Sequence, residues 1–116
     1  MNAAIKDKQR NVDSIRPVLR SLRNGLELLY GPRFARMIVF GSYARGEADA
    51  ESDIDVLIAL NGDVSTGKEI SRVSYIAAPL SLDNDIVISC SITSLERLQK
   101  GKSPLLMNVR AEGITI

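Results

Sequence analysis

Residues 37–58 read MIVFGSYARGEADAESDIDVLI, and this stretch decides the fold. Its first four residues are apolar and predict a buried strand that ends at Gly41-Ser42. A second strand is predicted over residues 53–59. Because alternate side chains of a strand share a face, Asp53 and Asp55 are expected to point to one face and the apolar residues between and after them to the other.

The two aspartates and the Gly-Ser turn together suggest a metal and phosphate site. Two carboxylates on one strand face repel each other unless a cation lies between them. Carboxylate oxygens suit hard cations, and Mg²⁺ is the one that also bridges substrate phosphates. Gly41 would let the backbone approach a ligand closely, and the Ser42 hydroxyl with the following amides could donate to phosphate oxygens. Each pattern also occurs alone as an ordinary turn or exposed strand, so their combination carries the prediction.

Helix and strand signals continue on both sides of this stretch. Apolar residues recur at steps of three and four over residues 12–29, which predicts an amphipathic helix capped by Asp13 or Ser14. The later predicted elements are a helix over residues 66–78 closed by Pro79, a strand over 85–89, a short helix capped by Thr93 or Ser94, and a last helix from Pro104 to Gly113. This order predicts an α/β (α+β) fold, a small mixed sheet with helices packed on one face.

Composition narrows the class of protein. The 116 residues are expected to form a single domain, 1–116, in which residues 1–11 are frayed. A net charge of +1 and 4% aromatic residues argue against strong nucleic-acid binding. The chain has no histidine, which excludes Ser-His and Cys-His catalysis. We see no apolar stretch long enough to cross a membrane, so a cytoplasmic location is expected. A chain this small with 45% hydrophobic residues could also self-associate into a homo-oligomer.

Within residues 37–58, the segments 41–48 and 52–58 closely resemble the signature of the polymerase-β-like nucleotidyltransferases. The chain is most similar to the minimal nucleotidyltransferases (MNT), small proteins that act as antitoxins. The resemblance implies the polymerase-β-like nucleotidyltransferase fold. It also implies that Gly41 and Ser42 hold the triphosphate of the incoming nucleotide, and that Asp53 and Asp55 bind two Mg²⁺ ions.

Three further site residues follow from the same resemblance. A third carboxylate is expected at the start of a later strand, for which Asp85 is the first candidate and Asp83 the alternative. Asp85 would bind a metal ion or receive the acceptor's proton. Arg45 would touch the phosphates, or pair with a carboxylate and fix the loop. Tyr43 is expected to be a packing residue or a neighbour of the adenine.

The resemblance implies a reaction in which an acceptor hydroxyl attacks the α-phosphate of a nucleoside triphosphate, expected to be ATP, and pyrophosphate leaves. Three functional hypotheses follow. In the first, the chain transfers AMP to a tyrosine of a HEPN-domain toxin and neutralises it. In the second, the acceptor is a small molecule such as an aminoglycoside. In the third, the chain is a non-enzymatic binding module that inhibits a partner by contact.

Overall fold

A four-stranded mixed sheet lies at the centre of the computed structural model, which describes residues 10–116. The strands are β1 (Phe34–Phe40), β2 (Ile54–Leu60), β3 (Ile88–Ser94) and β4 (Ile114–Thr115), in the order β3-β2-β1-β4. β1 is antiparallel to both β2 and β4, whereas β2 and β3 are parallel. The predicted mixed sheet is therefore confirmed.

Within residues 10–116, five α-helices surround the sheet: α1 (Arg16–Tyr30), α2 (Ser42–Arg45), α3 (Thr66–Asn84), α4 (Leu95–Lys100) and α5 (Pro104–Glu112). The helices α1 and α3 pack on one face, against β2 side chains such as Val56 and Ile58. The helices α4 and α5 cover the opposite face, around Leu57 and Ile38. The prediction that helices pack on only one face of the sheet was wrong. Beyond Asp55, β2 carries apolar side chains on both faces, and each face is buried by packed helices. Across residues 10–116, none of the helices combines the length and the apolar character that spanning a bilayer demands.

The first helical segment begins differently from the prediction. Residues Val12–Ile15 form a 3₁₀ turn that leads into α1, and Asn11 caps it by accepting a hydrogen bond from the Asp13 amide at 3.0 Å. The cap is thus Asn11 and not Asp13 or Ser14. Arg10 pairs with Ala48 across an isolated bridge, and the fraying predicted for residues 1–11 stays a prediction. Residues 1–9 lie outside the described part of the chain.

The segment between α3 and β3 contains the largest departures from the sequence prediction. Pro79 lies inside α3 instead of ending it, and the helix continues to Asn84. The continuation is favoured because Leu80, just after the proline, packs against the core. Asp85 then ends the helix in a left-handed conformation, with φ at 51°. As a result β3 begins at Ile88, later than the predicted strand over residues 85–89.

The last part of the chain follows the prediction more closely. Ser94 caps α4 by accepting a hydrogen bond from the Arg97 amide at 3.1 Å, and Ser103 caps α5 in the same way. Gly113 ends α5 as expected, but the residues after it form β4, which was not predicted. Two residues are too few to show the alternation of apolar and polar side chains that predicts a strand. The strand β4 forms because it pairs with the free edge of β1.

Candidate active site

The turn after β1 is built around the close approach of Gly41 to the Asp55 carboxylate. Phe40, the last residue of β1, pairs directly with Asp55 on β2. Gly41 adopts φ 76° and ψ −152°, a backbone conformation that residues other than glycine rarely adopt. A Cβ atom at this position would overlap Asp55 Oδ2 and lie 3.2 Å from Asp55 Cγ. The glycine therefore serves to bring the turn against the carboxylate.

Ser42 opens α2, a single turn of helix between the two strands. Its backbone carbonyl accepts a hydrogen bond from the Glu47 amide at 2.9 Å, which closes the turn. The side chain is half-buried. Ser42 thus follows directly on the glycine that contacts Asp55.

The two aspartates at the start of β2 repel each other. Asp55 is half-buried, whereas Asp53 immediately precedes the strand and is exposed. Burial raises the pKa of Asp55 above its ordinary value, and the charges of Asp53 and then Glu112 raise it further, while Arg45 lowers it. A bound cation would relieve this repulsion, and carboxylate oxygens are the ligands that Mg²⁺ prefers. Asp53 and Asp55 are therefore the side chains that fit a metal ion here.

The β3 neighbour of Asp55 is a serine. The parallel register places Ser89 beside Asp55. Ile88, Cys90 and Ile92 face the α1–α3 core, so Ser89 lies on the same sheet face as Asp55. Within residues 10–116, the structure forms no group of three or more carboxylate, thiol or imidazole side chains that could hold a metal ion. The sheet register thus brings a hydroxyl, and not a third carboxylate, next to the aspartate pair.

Asp85 and Asp53 both line one cavity. This cavity has a volume of about 440 Å³ and is lined on the α3 side by Ser81, Leu82, Asp85 and Val87. Asp85 is exposed and sits three residues before β3, so it does not open the strand as predicted. Asp83 is exposed in the last turn of α3. Because β3 begins at Ile88, neither Asp83 nor Asp85 lies in the strand.

Glu112 was missed by the sequence analysis, although it lies in the centre of the site. It is the last residue of α5, and its carboxylate accepts a hydrogen bond from the Gly41 amide at 2.7 Å. The same carboxylate accepts from Arg45 Nη1 at 3.0 Å, while Arg45 Nε donates to Glu47 at 2.7 Å. Arg45 thus pairs with carboxylates, which is one of the two roles predicted for it; the other was contact with the phosphates. A single glutamate far along the chain carries no local signal of such a contact.

Tyr43 is a core residue. Its side chain is 1% exposed and packs within the cluster beneath α1. Its hydroxyl has no hydrogen-bond partner among the described residues. Of the two roles considered for Tyr43, burial supports packing and leaves no surface for an adenine ring.

A Gly-Ser turn held against paired aspartates, at one end of the two central strands of a mixed sheet, is the arrangement of a nucleotidyltransferase. Residues 19–106 match the family model of the nucleotidyltransferase domain, and the chain belongs to this family. It is 35% identical over 83 residues to protein adenylyltransferase MntA from Thermococcus cleftensis, an alignment that covers 72% of this chain and 82% of the relative. It is 39% identical over 72 residues to MJ0141 from Methanocaldococcus jannaschii, provisionally named a protein adenylyltransferase, covering 62% of this chain and 72% of that protein.

Solved structures show the same fold. A mutant of the toxin–antitoxin MntA–HpeT superimposes with a TM-score of 0.55 at 22% identity, over 93% of this chain and 72% of that one. A toxin–antitoxin structure with AMP-PNP gives a TM-score of 0.54 at 21% identity, over 81% of this chain and 68% of the other. Together with the family match, this confirms the prediction that the chain is a nucleotidyltransferase.

Proposed function

We propose that this chain transfers AMP from ATP, with Mg²⁺, to a hydroxyl on a protein partner and so acts as an antitoxin. The partner we favour is a HEPN-domain toxin modified on a tyrosine, and the expected location is the cytoplasm. The observation that carries the proposal is the contact of Gly41 with Asp55. This contact brings together, in one site, a turn that suits phosphate binding and a carboxylate pair that suits cation binding.

Each side chain of the site receives a role in this proposal. Asp53 and Asp55 would hold Mg²⁺, which when bound neutralises phosphate charge and lowers the pKa of the attacking hydroxyl. The Gly41 and Ser42 turn would bind the triphosphate through its backbone amides, beside the Asp55 carboxylate that Gly41 contacts. Arg45, whose guanidinium is about half exposed, would add a positive charge at the same place.

Asp85 is retained as the candidate third carboxylate, in a role at the acceptor. Asp85 lines the same cavity as Asp53, and the sheet register places Ser89 beside Asp55, which together support receiving the acceptor's proton more than binding a metal beside Asp55. Asp83 is the matched alternative two residues away. We expect Asp85→Asn to slow transfer and Asp83→Asn to leave it unchanged. Asparagine tolerates the left-handed backbone at position 85, so the fold is expected to survive.

The protein acceptor is supported by the relatives. MntA from Thermococcus cleftensis is named a protein adenylyltransferase, and the superimposed structures are described as toxin–antitoxin complexes. An acceptor side chain that enters the cavity beside Asp53 would bring its hydroxyl next to the proposed metal ligands. The cavity rim includes exposed apolar side chains, Leu82 and Val87, that suit a protein segment.

The test is transfer of label from α-labelled ATP to the product of the neighbouring gene, with Mg²⁺ and with EDTA. Asp53→Ala removes a proposed metal ligand. Asp63→Ala serves as the matched control, because Asp63 lies in the exposed turn after β2. Label on the partner that persists in Asp63→Ala and disappears in Asp53→Ala is the expected result. Unlabelled partner in a stable complex would instead support inhibition by contact.

A small cationic acceptor is the second candidate function. The lining of the cavity includes three carboxylates, from Glu51, Asp53 and Asp85, which would attract a polycation such as an aminoglycoside. The same assay with an aminoglycoside in place of the partner protein separates the two candidates. Label on the small molecule alone would replace the proposed protein acceptor.

A further inference from the structure

The groups that would bind phosphate are already bound to a carboxylate of the chain itself. Glu112 Oε2 accepts hydrogen bonds from the Gly41 amide at 2.7 Å and from Arg45 Nη1 at 3.0 Å. A carboxylate held by one backbone amide and one guanidinium has the same partners that an anionic phosphate oxygen would use. Glu112 therefore occupies an anion position in the site.

The backbone around Glu112 is fixed, so only its side chain can leave this position. The Gly113 amide donates to the Val109 carbonyl at 2.8 Å, and the Ile116 amide donates to Met37 on β1 at 2.9 Å. A Cβ atom at Gly113 would overlap Ile38, which shows how closely the end of α5 packs on the sheet. The Glu112 side chain itself is 27% exposed, which leaves it a path to solvent.

We infer that Glu112 is a resident anion that competes with the nucleotide for Gly41 and Arg45. This inference rests on the proposed nucleotide site and goes beyond it. In the free protein, Glu112 keeps the turn in its binding shape and neutralises Arg45. When a nucleoside triphosphate arrives, its phosphate displaces the carboxylate, which rotates toward solvent. Glu112 is thus a specificity residue. A ligand binds favourably only if its negative charge is greater than that of the single carboxylate it displaces from Gly41 and Arg45.

Removal of the competing charge should tighten phosphate binding. Hydrogen bonds to charged groups are stronger than neutral ones, so we expect Glu112→Ala to bind ATP about tenfold to a hundredfold more tightly than the wild type. Glu112→Gln keeps the shape but loses the charge, so a smaller gain is expected. Glu27→Gln is the matched control, because Glu27 also forms a glutamate–arginine pair, with Arg23 on α1 at 2.7 Å.

The experiment measures equilibrium binding to the whole protein by calorimetry, with three probes. Inorganic tripolyphosphate and ATP should both gain affinity in Glu112→Ala, whereas adenosine, which has no phosphate, should not. The Glu27→Gln control should match the wild type with every probe. Circular dichroism confirms that each variant is folded before binding is measured.

Three results would overturn the inference. Equal or weaker ATP binding by Glu112→Ala would show that the glutamate supports the turn without competing. An equal gain with adenosine would place the effect away from the phosphate. Failure of wild type and variants to bind either polyphosphate would overturn the inference and also count against the proposed function. A gain in ATP affinity without any transfer of label would support the inference while refuting the proposed transfer.

Discussion

The contact between Gly41 and Asp55 gives the sharpest single test of the site. Gly41→Ala places a methyl group on a backbone with φ at 76° and ψ at −152°, which costs about 1–3 kcal/mol of stability. The methyl group also overlaps Asp55 Oδ2, and forcing extra atoms into a packed place costs a further ~1–3 kcal/mol. The side chain of Asp55 must rotate, so we expect nucleotide transfer to be lost.

Gly62→Ala is the matched control for the backbone cost. Gly62 has φ at 84° in the turn after β2, and nothing lies within 4 Å of the Cβ position. This variant should lose about 1–2 kcal/mol and keep full transfer activity. Urea unfolding measures both stabilities, and transfer is assayed where circular dichroism shows both variants folded. If Gly41→Ala transferred label as well as Gly62→Ala, the proposed link between the turn and the carboxylates would be wrong.

Three further predictions concern ionisable and polar side chains. Burial and the neighbouring carboxylate raise the pKa of Asp55 in the folded protein. The contribution of Asp55 to the free energy of unfolding is therefore fully present below its unfolded-state pKa and is lost as the pH rises through its folded-state pKa. Asp55→Asn should therefore be more stable than the wild type in urea at about pH 7, and this advantage should disappear at about pH 3. Tyr43→Phe removes a buried hydroxyl that has no partner among residues 10–116, and it should raise the free energy of unfolding by up to ~1 kcal/mol. Tyr30→Phe breaks the 2.9 Å hydrogen bond to Glu69 and should lower the free energy of unfolding by about 1–3 kcal/mol; thermal melts that show the same sign for both would contradict the assigned contacts. Burial raises the pKa of Cys90 to about 11, so a thiol reagent at about pH 8 should react slowly with the native protein and quickly after denaturation; equal rates would show that the thiol is accessible.

The sequence predicted the centre of the fold because local patterns determine it. The buried strand, the glycine turn and the alternating aspartate strand each have a signal within a few residues. Both strands appear there as β1 and β2, although β1 begins at Phe34, three residues before its predicted start. The same holds for α4, where Ser94 is a local cap. These features depend on neighbours in sequence, so one chain without relatives is enough to find them.

The missed features depend on contacts between distant residues. Pro79 usually ends a helix, but α3 continues because Leu80 packs against the core. That extension moved β3 by three residues and separated Asp85 from the start of the strand. Ser89 became the neighbour of Asp55 through the sheet register, which no local pattern encodes. Glu112 reaches Gly41 only because α5 returns to β1.

The bond between Gly41 and Glu112 also has a consequence for the order of folding. It joins residues 71 positions apart, and closing so long a loop is entropically costly until the sheet and α5 are in place. The helices and the β1–β2 pair depend on nearer neighbours and can form earlier. We therefore expect partly folded chains to contain much of the secondary structure but to lack the turn in its final shape. In a refolding experiment, the capacity to bind nucleotide should appear with the slowest phase.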